Sequence, residues 1–127
     1  MALVSLSAHN FDQTVALPGI VMVDCWAGWC GACKDFGPTY EKVATRHSEH
    51  TFGKLDTQSE KVIVARLGIE HIPSLLLYRD GILLFQQPGY FDEEQMEDIL
   101  RQAESLDMEV VRSEMSAEGD SREDVEQ

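Results

Sequence analysis

Cys30 and Cys33 are the residues of this 127-residue chain best placed to do chemistry. They stand in Trp29-Cys30-Gly31-Ala32-Cys33-Lys34, between an apolar run ending near Trp26 and a stretch that reads as helical. Thiols at i and i+3 on the first turn of a helix can close a disulfide with little backbone movement. The leading thiol also sits at the positive end of that helix, where free N–H groups favour its thiolate. Such a dithiol is poised to attack another disulfide. The same spacing could equally be half of a zinc site. A structural zinc needs four ligands, however, and no second Cys pair or Cys/His cluster at ligand spacing accompanies this one. The spacing favours redox chemistry.

A dithiol works only where folded elements hold it, and the chain alternates between two hydrophobic periods to supply them. Leu3–Leu6 reads as a short strand, and Ser7 as the N-cap of a helix through about Leu17, where Pro18-Gly19 stops it. Ile20–Trp26 is almost continuously apolar, which suits a strand covered on both faces. A helix follows from about Cys33 to His47, and Pro38 removes one backbone donor inside it and should kink it. Thr51–Leu55 is a second central strand, and Ser59 caps a helix that Gly68 ends. Ser74–Tyr78 and Ile82–Gln86 flank Arg79-Asp80-Gly81, and Asp-Gly between apolar runs predicts a hairpin. Asp92 caps an amphipathic helix with Met96, Ile99, Leu100, Ala103, Leu106 and Val110 on its apolar face. The order βαβαβαββα implies an α/β fold: a mixed sheet with helices on both faces.

Composition narrows the partners. The chain is 43% apolar and 26% charged, which is globular. Lys and Arg number 10 against 23 Asp and Glu, a net charge of −13 that argues against nucleic acid or a membrane surface as partner. Three Cys cannot all pair internally, which fits poorly with a disulfide-stapled secreted scaffold. No apolar run approaches the ~20 residues of a membrane helix. Met1–Ser5 shows no basic stretch ahead of an apolar one, so a cytoplasmic location is expected. Residues 104–127 hold Arg112 and Arg122 against nine acids and no aromatic residue. Residues 107–127 therefore read as an acidic extension, helical to about Val110 or Met115 and then disordered; it is either solvated or docked on a partner.

Over about residues 1–106 the chain resembles the thioredoxin family. Val23-Asp24-Cys25-Trp26-Ala27-Gly28-Trp29-Cys30-Gly31-Ala32-Cys33-Lys34 is similar to its active-site stretch, Pro38 to the proline of its active-site helix, and Ile72-Pro73-Ser74 to its Ile-Pro-Thr segment. Asp80-Gly81 and Gly89 match later turn positions. The resemblance implies a thioredoxin fold with a central five-stranded mixed sheet, and a protein-disulfide reductase that needs no cofactor beyond the Cys30–Cys33 pair. It implies protein disulfides as substrates, a thioredoxin-reductase-type electron donor, and a monomer. Cys30 becomes the exposed nucleophile and Cys33 the resolving thiol. Asp24 takes the family's buried carboxylate position; burial should raise its pKa and let it accept the Cys33 proton, the alternative being a hydrogen-bonded core carboxylate. Lys54 would tune that carboxylate, or be a plain surface lysine. Pro73 becomes a cis-proline, and Trp29, Gly31, Ala32, Ile72, Pro73 and Gly89 contact substrate. Trp26 joins that apolar rim or packs in the core.

Ala32 replaces the family's proline between the cysteines, which bears on redox poise: reductant by default, with weaker reduction or disulfide isomerisation open. Cys25 stands where the family has an aromatic residue. Strand alternation turns it away from Asp24, so it reads as an inert small hydrophobe rather than a regulatory thiol. His71 is either a rim group or a loop histidine, and His9, His47 and His50 suggest no role. The competing function class is a binding or chaperone-like module of the same fold in which the thiols are secondary.

Overall fold

Ile20–Trp26 forms the central strand β2, buried at every residue but Trp26. The computed structural model describes residues 3–126, with side chains as far as Ala117. In it β2 lies parallel to β3 (Thr51–Asp56) and antiparallel to β4 (Ser74–Arg79). The outer strands are β1 (Leu3–Leu6), parallel to β3, and β5 (Ile82–Pro88), antiparallel to β4. The order β1-β3-β2-β4-β5 is the expected mixed five-stranded sheet.

Alternation along β2 sorts its side chains between two cores. Ile20 and Met22 pack with Phe36, Tyr40 and Val43 of α2 (Gly31–Arg46) and with Met96 and Leu100 of α4 (Glu93–Ser105). Val21, Val23 and Cys25 pack with Phe11 and Val15 of α1 (Phe11–Val15) and Ile63 of α3 (Lys61–Leu67). Helices thus cover both faces. Each fully buried Leu, Ile, Val, Phe or Met contributes roughly 1.5–3 kcal/mol of transfer free energy, so these two layers dominate the favourable side of folding. Asp24 shares the parity of Met22, which puts its carboxyl on the α2 side.

The punctuation of the chain departs from expectation in places. Ser7 opens a turn instead of capping a helix: Asn10 and Phe11 N–H donate to its carbonyl, and its hydroxyl accepts from His9 N–H. Asn10 is the N-cap, and α1 is only five residues long. Ser59 does not cap α3; its hydroxyl donates to Asp56, and Glu60 holds the cap position. The helix after β2 begins at Gly31 rather than Cys33 and runs through Pro38. The apolar phase from Met96 to Val110 is split at Leu106, whose backbone is extended. There the carboxylate of Asp107 accepts from Glu109 and Val110 N–H and starts α5 (Met108–Glu126). The backbone stays helical past Met115, where the apolar pattern ends and disorder is expected from sequence.

The hairpin is as expected. Asp80 and Gly81 both have positive φ, 53° and 82°, the geometry of a primed turn. Asp80 also ties that turn to the start of β2: its carboxylate accepts from Gly19 N–H at 2.8 Å, and its N–H donates to Gly19 O at 2.9 Å.

Candidate active site

The chain leaves β2 at Trp26 and enters α2 at Gly31, so Cys30 becomes the N-cap of a 16-residue helix. Cys33, one turn on, is bonded to it, with a Cα–Cα separation of 5.2 Å that suits a disulfide. The N–H of Cys33 points at Cys30 Sγ, 3.1 Å away. The same hydrogen bond and the helix dipole would hold a thiolate on Cys30 in the dithiol form. Both cysteines are 5% exposed, so Cys30 is not the open residue that the resemblance implies. Ala27, Trp26 and Ile72 pack around the pair and account for that cover. Trp29 stands out at 68% exposed, and Gly31 and Ala32 are exposed beside it.

A loop from across the sheet completes the rim. The Ile72-Pro73 peptide is cis, and Gly89 N–H donates to Pro73 O at 2.8 Å, joining the loops before β4 and after β5. Gly89 has φ 123°, a conformation that favours glycine. Trp29, Thr57, Ile69, His71 and Ile72 line a groove of about 350 Å³ between this loop and α3. His71 therefore does face the rim. Thr57 and Ile69 went unnoticed in the sequence; Thr57 is held by two hydrogen bonds to Trp26 O, a contact 31 residues apart in the chain.

On the α2 side of β2 lies a buried carboxyl. Asp24 is 1% exposed, and neither carboxyl oxygen has a hydrogen-bond partner among the described residues. Burial pushes its pKa up to about 7, and the Lys54 ammonium, 3.9 Å from Oδ2, pulls against that rise without cancelling it. Its nearest charged neighbour is therefore that ammonium, beyond hydrogen-bond distance. Lys54 is partly exposed, lies against the Trp26 ring, and is equally 3.9 Å from Glu41 Oε1, so two carboxylates share it. A cleft of about 280 Å³ lined by Cys33, Gly37, Pro38, Glu41 and Lys54 among others connects the disulfide to this lysine. Glu41 was missed in the sequence. Its signal is helical spacing, since Cys33, Gly37 and Glu41 fall at i, i+4 and i+8 on one stripe of α2. Cys25 is fully buried on the opposite face, where burial raises its thiol pKa and keeps it inert.

Known proteins share this arrangement. A family description, Thioredoxin, matches residues 2–102. A protein named "Putative thioredoxin 2" from Streptomyces coelicolor is 44% identical over 109 residues, covering 86% of this chain and 81% of that protein. Thioredoxin from Alicyclobacillus acidocaldarius is 35% identical over 97 residues, 76% of this chain and 92% of its own. Among solved structures, a single-site mutant of thioredoxin from Halobacterium salinarum superposes with a TM-score of 0.75 over 83% of this chain and 93% of that one. At 23% identity that likeness speaks to the fold. With the family match running across all five strands and both bonded cysteines, the chain belongs to the thioredoxin family of thiol-disulfide oxidoreductases.

Proposed function

We propose that the chain is a cytoplasmic, monomeric reductant of protein disulfides, with Cys30 as attacking thiol and Cys33 as resolving thiol. The observation that carries this reading is the position of Cys30 Sγ at the start of α2, where it accepts the Cys33 N–H. In the dithiol form the Cys30 thiolate attacks one sulfur of a substrate disulfide. A Cys30–substrate bond forms, the substrate S–S bond breaks, and one substrate thiolate leaves. The Cys33 thiol then gives its proton to the Asp24 carboxylate and attacks Cys30 Sγ. The mixed disulfide breaks, the second substrate thiolate departs, and Cys30–Cys33 is the oxidised product. Two electrons have passed to the substrate, and a thioredoxin-reductase-type donor returns them. The dithiol carries both electrons, so no cofactor is called for.

Asp24 suits the acceptor role because a group titrating near 7 is partly ionised at neutral pH and exchanges a proton at little cost. Lys54 tunes it through charge. Trp29, Gly31, Ala32, Ile72, Pro73 and Gly89 form the surface on which an extended substrate segment lies. No helix among the described residues is long and apolar enough to cross a membrane. A binding module with incidental thiols is not favoured, because it gives no reason for a buried carboxyl that accepts no hydrogen bond from the described residues and titrates near 7.

Trapping tests the roles. Cys33→Ser should accumulate mixed disulfides with lysate proteins on non-reducing gels, since nothing resolves them, and Cys30→Ser should accumulate none. Equal adducts on both variants would overturn the assignment of the two roles.

A further inference from the structure

At the opposite end of α2 from the cysteines, about 24 Å away along a 16-residue helix, lies a second group of reactive side chains. His47 ends the helix, and the turn His47-Ser48-Glu49-His50 leads into β3, closed by His50 N–H donating to His47 O at 3.0 Å. That turn sets the two imidazoles side by side in nearly parallel planes, with ring centroids 5.7 Å apart and planes 13° from parallel. One ligand atom each from His47, Glu49 and His50 lie within 4.8 Å of one another. His47 Nδ1 is 3.4 Å from Glu49 Oε2, and His50 Nε2 is 3.8 Å from the same oxygen. Glu104 of α4 adds a second carboxylate, its Oε2 2.9 Å from His50 Nε2.

We propose that His47, Glu49, His50 and Glu104 form a binding site for a divalent zinc-class ion, outside the redox centre. Donor type, spacing, charge and orientation each support it. Two imidazoles with two carboxylates are a nitrogen–oxygen set suited to Zn²⁺. Zinc–ligand bonds of about 2.0–2.2 Å put tetrahedral ligand atoms roughly 3.3–3.6 Å apart, so the separations of 3.4 and 3.8 Å need little adjustment, while the 2.9 Å His50–Glu104 contact must open by about 0.5 Å as Glu104 swings in. Ligation takes both rings as neutral imidazoles, so the four ligands present −2, which the ion neutralises. The remaining ring nitrogen of His47, Nε2, is 2.7 Å from Glu97 Oε1, and Arg46 holds the other oxygen of that carboxylate at 3.5 Å. A carboxylate behind a ligating histidine fixes its ring and raises its basicity, as around many zinc ions. Both rings are mostly covered, 18% and 11% exposed, so they are already ordered. The bound ion would clamp the turn before β3 onto α4.

Calorimetric titration of the oxidised full-length chain with ZnCl₂ tests the proposal. Oxidation removes the Cys30/Cys33 thiols as competing ligands, and millimolar Mg²⁺ occupies weak sites along the acidic helix. Wild type should take up one Zn²⁺ saturably, with a rise in Tm. The double variant His47→Gln/His50→Gln should bind at least about 100-fold more weakly, and Glu97→Gln, which only orients a ligand, about 10-fold more weakly. Nitrogen NMR of the wild-type imidazoles needs no variant: Zn²⁺ should shift His47 and His50 and leave His9 and His71 in place. Wild-type affinity retained in the double variant, no saturable uptake, or ring shifts confined to His9 and His71 would each overturn the site and leave the cluster an ion-paired surface.

Discussion

Asp24 is where one side chain carries opposite consequences for stability and for chemistry. Its carboxyl is raised from 3.8 to about 7 in the folded state, chiefly by burial. The folded chain therefore binds this proton more tightly than the unfolded chain does. The contribution to stability is greatest below about pH 4, is lost as pH climbs toward 7, and stays lost above that. At ~1.4 kcal/mol per unit the loss is on the order of 4 kcal/mol. Asn keeps the shape and cannot ionise. Asp24→Asn should thus be more stable than wild type at pH 8 by that order, with the advantage shrinking toward pH 4, as urea melts at both pH values will read. The same change removes the acceptor for the Cys33 proton, so single-turnover release from the mixed disulfide should slow by about tenfold to a hundredfold at pH 8. A variant less stable at pH 8 and unimpaired in release would make Asp24 a structural carboxylate. At this scale the site was partly legible: the Cys30/Cys33 spacing is chemistry in its own right, whereas Asp24, Lys54 and Pro73 were found only through resemblance. His47 and His50 looked idle because their carboxylate partners, Glu97 and Glu104, lie about fifty residues away.

Helices show where local signals suffice and where they fail. Asp92 does cap α4, and with Gln95 it makes a reciprocal capping box, with bonds of 2.8 and 2.9 Å. That signal is contained in four consecutive residues, as is the Asp80-Gly81 turn, so both could be read from sequence. Ser7 and Ser59 have the right type for caps, yet local turns claim their hydroxyls first: Ser7 accepts from His9 N–H and Ser59 donates to Asp56. The split at Leu106 was hidden because apolar periodicity runs straight across it, while Asp107 as a second cap sits inside the pattern. The other end of α4 has no basic residue of its own in its last turn. Arg79 of β4 serves instead, donating to the carbonyls of Ala103 at 2.7 Å, Leu106 at 2.8 Å and Glu104 at 3.3 Å. Asp92→Ala should cost about 1 kcal/mol as a lost N-cap. Arg79→Gln should cost about 1–2 kcal/mol, a charged donor discounted for partial exposure. The two ends of a 13-residue helix stand about 20 Å apart, so the double variant should lose the sum to within ~0.5 kcal/mol. Disulfide-reduction assays alongside the urea melts should find turnover unchanged, because neither residue approaches the cysteines. A double variant no weaker than Arg79→Gln alone would mean that α4 is held by its buried face and owes nothing to its N-cap.

For the molecule as a whole the governing quantity is the net charge of −13. Nine of the 23 acidic residues lie beyond residue 103, so α4's end and α5 project a negative field from a small domain. The surroundings of the disulfide are mixed, with Trp29 and Ile72 apolar and Glu70 anionic in the groove and Lys34 cationic in the cleft beside Cys33, so contacts at the site do not select strongly by charge. Selection by charge must therefore come from the long-range field, which acts on encounter and is screened by salt. Two peptide substrates with the same disulfide, one flanked by lysines and one by glutamates, isolate that effect. At ~0.01 M ionic strength the field reaches about 30 Å, and kcat/KM for the lysine peptide should exceed that for the glutamate peptide by about tenfold. At ~1 M the reach falls to about 3 Å and the two values should converge to within about twofold. Stopped-flow reduction at both salt concentrations reads the ratio directly. A ratio independent of salt would assign substrate preference to short-range contacts around Trp29 and Ile72. A converging ratio would assign it to acidic residues that touch no substrate, most of them far from the cysteines in the sequence.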